Sequence, residues 1–190
     1  MALPALTILL VIAYSLPWLV GAGASLTFNG YDLAEWLSLY PLVRAESPSL
    51  LTTLLLRLPL VLIGLIAIVS SRLRWFQMLI IIVIALALMP SLDFFVTSSD
   101  DSNYRQQFAL SLSVVVGGVV AAFISRSAHQ RLFCVLVSVV GAAVALAGLL
   151  RACDVVSLTD SRASIGPGGL LVAAFFLVIS VVGALTRFGQ

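Results

Sequence analysis

Six stretches of the chain stay apolar for long enough to cross a lipid bilayer, and nothing else in the sequence limits the fold so strongly. They run from Ala5 to Gly23, Leu50 to Ser70, Trp75 to about Val96, Phe108 to Ile124, Leu132 to Leu150 and Gly169 to Thr186. Crossing about 30 Å of hydrocarbon at about 1.5 Å per residue takes roughly 20 residues. Only 9% of the 190 residues are charged, against roughly 25% in ordinary soluble domains. With 62% hydrophobic residues and a mean hydropathy of +1.19, the chain cannot cover itself for water. The expectation is an all-α membrane protein with six transmembrane helices, and residues 1–190 form a single transmembrane domain. The connections leave no room for a separate soluble domain.

The ends of the first run need a choice. Ala22-Gly23-Ala24 has the small-residue pattern that ends a signal peptide, but no Lys or Arg precedes the run. It reads as a retained first helix, with Pro17 a kink near its outer end. Only Ser71 to Arg74 separate the second and third runs, which predicts a tight antiparallel hairpin.

Charge sets the orientation. Arg72, Arg74, Arg126, Arg131 and Arg187 fall on one side of this six-helix plan, with no acidic residue among them. The other side takes all eight acidic residues, Asp93 included, together with Arg44, Arg105, Arg151 and Arg162. The positive-inside rule then places both termini in the cytoplasm. In a bacterium, this is the cytoplasmic membrane.

The first outer loop carries a helical pattern. Asn29-Gly30 signals a turn, and Leu33, Trp36, Leu37 and Tyr40 recur at i, i+3, i+4 and i+7. Asp32, with Glu35 three residues on, is placed to cap the start. A short amphipathic helix on the outer membrane surface is expected, with Tyr31, Trp36 and Tyr40 as its interfacial anchor or as a docking surface.

The two halves differ in texture. The last three runs contain Gly117, Gly118, Gly141, Gly148 and Gly183 among many alanines, which predicts close packing of those three helices with one another. The first half is rich in Leu and Ile, suited to lipid or to partners. No residue-level match between the halves supports an inverted repeat.

Most chemistries lack their residues. A single histidine, His129, stands in a turn between Arg126 and Arg131, so paired axial haem ligands are missing. There is no Cys-x-x-Cys-His, and Cys134 and Cys153 lie along one predicted helix about 28 Å apart. That is too far for a disulfide. No cofactor or metal site is expected. Gly166-Pro167-Gly168-Gly169 lacks the Gly-Lys-Ser/Thr ending of a phosphate loop and reads as a turn. Asp100-Asp101 lacks calcium-loop spacing and reads as a solvated turn. The net charge of +2, with scattered arginines and no lysine, gives no footprint for nucleic acid. No clustered acid, base and nucleophile marks an enzyme.

Arg57 remains to be explained. It falls about 12 Å inside the second run, where an unpaired arginine costs on the order of 2.5–3.5 kcal/mol. It can snorkel to lipid phosphate, pair with Asp93 late in the third run, or meet an acidic group of another subunit. Arg57 and Asp93 are accordingly the candidate intramembrane ion pair, or a lipid or quinone contact.

The segment Ser25 to Pro41, reading SLTFNGYDLAEWLSLYP, resembles the first outer loop of small membrane proteins of filamentous phototrophic bacteria and their relatives. Proteins of that group accompany electron-transfer assemblies, including alternative complex III. The resemblance covers about a tenth of the chain and no catalytic residue. It implies an accessory subunit without a cofactor, among partner subunits that include haem proteins. Two functions stay open: a structural subunit of a respiratory or photosynthetic complex, and a small transporter or channel using Arg57 and Asp93.

Overall fold

The computed structural model describes residues 2–21, 27–158 and 163–185. Ala22-Gly23-Ala24, Arg162, Thr186 and Arg187 lie outside the described residues. Helices dominate: α1 Ala2–Ser15, α2 Gly30–Leu37, α3 Pro41–Arg44, α4 Leu51–Ser70, α5 Arg74–Ala87, α6 Asp93–Val96, α7 Ser102–Ile124, α8 Gln130–Leu158 and α9 Pro167–Leu185. Three short strands, β1 Leu19–Gly21, β2 Thr27–Phe28 and β3 Ala163–Ile165, form a sheet of order β2-β1-β3. Among the described residues, four helices, α4, α7, α8 and α9, are long and apolar enough to cross a membrane. The other two apolar helices, α1 and α5, have 14 residues each, or about 21 Å.

Both short helices end at prolines, where the apolar pattern alone predicted continuation. Pro17 has no N–H and disfavours a helical residue before it. The chain straightens there instead of staying helical to Gly23: Trp18 N–H donates to the Phe28 carbonyl at 2.7 Å, and Leu19 pairs with Phe28 on one side and Ile165 on the other. The strand pairing continues into the start of α9, where Gly166 and Gly168 N–H groups donate to the Trp18 and Pro17 carbonyls, each at 2.8 Å. A Cβ on Gly166 would stand 2.3 Å from the Pro17 oxygen, so glycine is required for this approach. The predicted turn at Gly166 to Gly169 is therefore a strand-to-helix junction, with Pro167 as the first helical residue. Likewise α5 stops at Ala87 before Pro90, and the short α6 replaces the last turns expected up to Val96.

The later helices are longer than their apolar cores suggest. Asp101 caps α7, its Oδ1 accepting from the Asn103 and Tyr104 N–H groups, so the helix begins six residues before Phe108. Helix α8 continues to Leu158 and carries Arg151 and Asp154 on helix instead of in a loop. Cys134 and Cys153 are both on α8 and both free.

The core forms around α4. This helix of the leucine-rich half lies at the centre of the bundle: α1, α2, α5, α7 and α8 all pack on it, and Leu56, Ile63, Ile66 and Ile68 are fully buried. Pro59 leaves the Leu55 carbonyl without its helical donor. Helix α8 approaches there so closely that a Cβ on Gly148 would meet the Leu55 oxygen at 2.9 Å. Helices α8 and α9 pack together as their small residues predicted, with the Phe176 ring filling the space beside Gly141. Helix α7 does not join them. Its Gly117 and Gly118 instead receive Leu65 of α4 and Ile81 of α5.

The bundle end at Ser70–Arg74 is tied by two amides. Gln77 is buried, with Nε2 within hydrogen-bond distance of the Ile68 and Ser71 carbonyls and of Ser125 Oγ at the end of α7. Gln130 Nε2 donates to the Val69 carbonyl at 2.9 Å. His129 is exposed in the adjoining turn.

Candidate functional site

Arg57 sits in the second turn of α4 and is fully buried, at 0% exposure. Its guanidinium is met from two elements. One amino group, Nη2, donates to Glu35 Oε1 of α2 at 2.7 Å. The other, Nη1, lies 2.9 Å from Asn103 Oδ1 and 3.0 Å from Gln106 Oε1, both on α7. Gln107, also on α7, donates from Nε2 to the same Glu35 oxygen at 2.6 Å. Asn103, Gln106 and Gln107 follow the i, i+3, i+4 spacing of one helix face, which α7 turns towards α4.

The network extends into the backbone at the head of α4. Gln106 Nε2 donates to the Leu50 carbonyl at 2.9 Å, and Thr53 Oγ1 lies 2.8 Å from both that carbonyl and Gln106 Oε1. Leu50 precedes the helix with φ of 58°, a conformation rare for a branched side chain. Buried packing and these bonds hold it there. Glu46 accepts from the Thr52 N–H at 2.8 Å and from the Thr52 hydroxyl, which ties the preceding loop to the first turn. Beneath Arg57, Tyr14 of α1 donates its hydroxyl to the Leu56 carbonyl at 3.0 Å.

Glu35 reaches this site because α2 is capped by a different residue than the pattern suggested. Asn29 Oδ1, not Asp32, accepts the Tyr31 and Asp32 N–H groups at 2.9 Å. Glu35 is thus free of a capping box and points across to α4. Leu33, Ala34 and Leu37 are fully buried, so α2 presses its apolar face on protein. Of the three expected anchor residues, Trp36 stacks on Phe28 and meets Tyr40 edge-on, at ring separations of 5.1 and 4.7 Å. Tyr31 is half-buried, and burial, together with the Glu35 carboxylate, pushes its phenol above the usual tyrosine value.

Asp93 is not Arg57's partner. It is exposed at the start of α6, and among the described residues the ion pair of Arg57 is with Glu35. The reason is the break before Pro90. Because α5 ends at Ala87, Asp93 does not continue along a helix packed on α4, and the polar face of α7 stands there instead. The same end of the molecule carries pairs whose arginines are exposed: Arg44 with Asp101 at 3.3 Å, Arg105 with Asp100 at 2.7 Å and Arg151 with Glu46 at 3.8 Å. The Asp100-Asp101 turn thus combines an exposed ion pair with a helix cap.

Chemically, the site is a closed clamp. Both guanidinium amino groups and the bonded Glu35 oxygen are engaged, and the surrounding groups are amides, a hydroxyl and backbone carbonyls. Among the described residues, no group of three or more His, Cys, Asp or Glu gathers in a way that would hold a metal ion. Comparison with protein families, with curated proteins and with solved structures finds no match to the chain. Glu35, Asn103, Gln106 and Gln107 were not singled out from the sequence as partners of Arg57. The signal that finds them is Asp101 as a helix cap, which puts Asn103-x-x-Gln106-Gln107 on one face of α7.

Proposed function

We propose that the chain is a structural subunit of a multi-subunit membrane complex, carrying no redox group of its own. One observation carries this reading: the intramembrane arginine is buried, at 0% exposure, with both of its amino groups bonded inside the chain, to Glu35, Asn103 and Gln106, and its Nε shut away from any partner among the described residues. An ion or solute pathway draws its polar residues from several helices around a wet cavity. Here they are bonded to one another at one end of the bundle, and Asp93, the second residue that a transporter would use, stands apart. The clamp instead joins α2, α4 and α7, so that the loop bearing α2 is held as a rigid cap.

In this proposal α1 and α5 complete six spans, both termini are cytoplasmic, and α2 lies at the outer boundary of a bacterial cytoplasmic membrane. The arginines of the Ser70–Arg131 end support that orientation. The partner-facing side is the outer stripe of α5, Met78, Ile82 and Leu86, continued past the helix end by Met89 and by Leu92 and Val96 at 83% and 81% exposure. Helix α5 covers about 21 of the roughly 30 Å of hydrocarbon, and non-helical backbone facing lipid is unfavourable. A neighbouring subunit at residues 88–92 relieves that. The resemblance of the Ser25–Pro41 loop supports a respiratory or photosynthetic electron-transfer assembly, with haem-containing subunits as neighbours.

Purification of the tagged chain in mild detergent tests the proposal. Stable co-purification with haem-containing membrane proteins, lost on Leu86→Arg, is the expected result. An isolated chain that moves solute in liposomes, with transport abolished by Arg57→Gln, overturns it.

A further inference from the structure

Helices α1, α4 and α5 enclose an open groove of about 880 Å³ at the Arg72 end of the bundle. Its floor is α4 from Leu60 to Ser70, one wall is Ile8 and Val11 of α1, and the other is Phe76, Leu79 and Val83 of α5. The lining is apolar apart from Thr7 of α1, whose hydroxyl donates to the Leu3 carbonyl, and one mouth, where Ser70, Ser71, Arg72 and Trp75 gather. Among the described residues, no acidic side chain lines it. From these observations, we propose that the groove is a binding site for an anionic phospholipid, with its phosphate at Arg72 and an acyl chain laid along α4.

Length and charge select this occupant. Trp75 to Ala87 spans about 18 Å and Leu60 to Ser70 about 15 Å. These lengths match one leaflet of a hydrocarbon core about 30 Å thick. The groove stops below Arg57, so it serves a chain entering from one side and not an element crossing both leaflets. The mouth supplies a guanidinium and an indole, the pair suited to the headgroup boundary. Arg74, two residues further on, is also exposed there. Apolar space facing a bilayer fills with acyl chain because a void forfeits dispersion contacts, and Arg72, the charged residue of the lining, adds the preference for an anionic headgroup.

Native mass spectrometry of the delipidated full chain tests this, in micelles containing equal amounts of phosphatidylglycerol and phosphatidylcholine with identical chains. The expected result is one retained phosphatidylglycerol, favoured about fivefold over phosphatidylcholine, the effect of one arginine near a lipid surface. Arg72→Gln should bring the ratio to about one, while Arg126→Gln, on an exposed turn outside the groove, should leave it unchanged. Ile8→Trp and Val83→Trp fill the groove from positions 61% and 54% exposed, and each should remove the retained lipid with far-UV circular dichroism intact. Equal retention of both lipids by the native chain would overturn the proposal. So would a preference that survives Arg72→Gln, or an adduct that persists in both tryptophan variants.

Discussion

Replacing Glu35 by alanine leaves the Arg57 guanidinium buried with one amino group unpaired. Removing one partner of a buried ion pair costs about 3–5 kcal/mol. Glu35 itself is 37% exposed on its side chain, so water screens part of its charge. Screening brings the effect below that range, to about 2–3 kcal/mol. Glu35→Gln keeps an oxygen for Arg57 and loses only the charge assistance, about 1 kcal/mol. The decisive variant is the double substitution Glu35→Ala with Arg57→Leu. If the penalty arises from a stranded cation, then removing the cation should recover about 1–2 kcal/mol, although Asn103 Oδ1 then lacks its donor. Unfolding by denaturing detergent, followed by far-UV circular dichroism and tryptophan fluorescence, measures all four species of the cycle. Additivity within about 0.5 kcal/mol would refute the clamp, because the two side chains would then contribute independently.

Further outcomes follow from particular contacts. Gly148→Leu should loosen the α4–α8 contact by about 1–3 kcal/mol, because even its Cβ would meet the Leu55 oxygen at 2.9 Å, whereas Gly183→Ala, 3.3 Å from a Val135 methyl, should stay within about 0.5 kcal/mol; thermal melts in detergent compare them. Gly166→Val should detach the strand-to-helix junction, which amide hydrogen exchange at Trp18 and Gly168 reports. Tyr31 has a folded-state pKa above its ordinary 10.0, so the stability it contributes is full below pH 10 and is lost as pH rises through the folded value. Melts taken from pH 8 to 11.5 should show a smaller alkaline loss in Tyr31→Phe. Impermeant maleimide should label a cysteine placed at Asp100 from outside cells and one placed at His129 only after permeabilisation; the reverse pattern would invert the proposed orientation.

Apolar length was sufficient to locate α4, α7, α8 and α9, because a segment of about 20 residues in hydrocarbon must close its own backbone hydrogen bonds. The tight connection between α4 and α5, the pairing of α8 with α9 through small residues, and Arg57 as the residue demanding explanation were all legible in the same way. Helix ends were less so. Pro17 and Pro90 were visible, but whether a proline kinks a helix or ends it depends on what receives the chain afterwards. At Pro17 the receivers are β2 and β3, far apart in sequence; at Pro90 the chain turns into α6.

The partner of Arg57 was the point that sequence could not settle. Depth within the span singled out Asp93, since helix rise measures only position along the bundle axis. Rotation about each helix and the packing order of helices decide which groups meet at that depth, and both are set by side-chain fit across the whole core. Helix α7 packed on α4 because its glycines accept Leu65 and Ile81, and that rotation turned Asn103, Gln106 and Gln107 inward. With α2 folded over α4 as well, Glu35 arrived from a loop and completed the site. The amino-acid order by itself determined that the chain belongs in a membrane and that its buried arginine needs partners. Tertiary packing decided which residues those are.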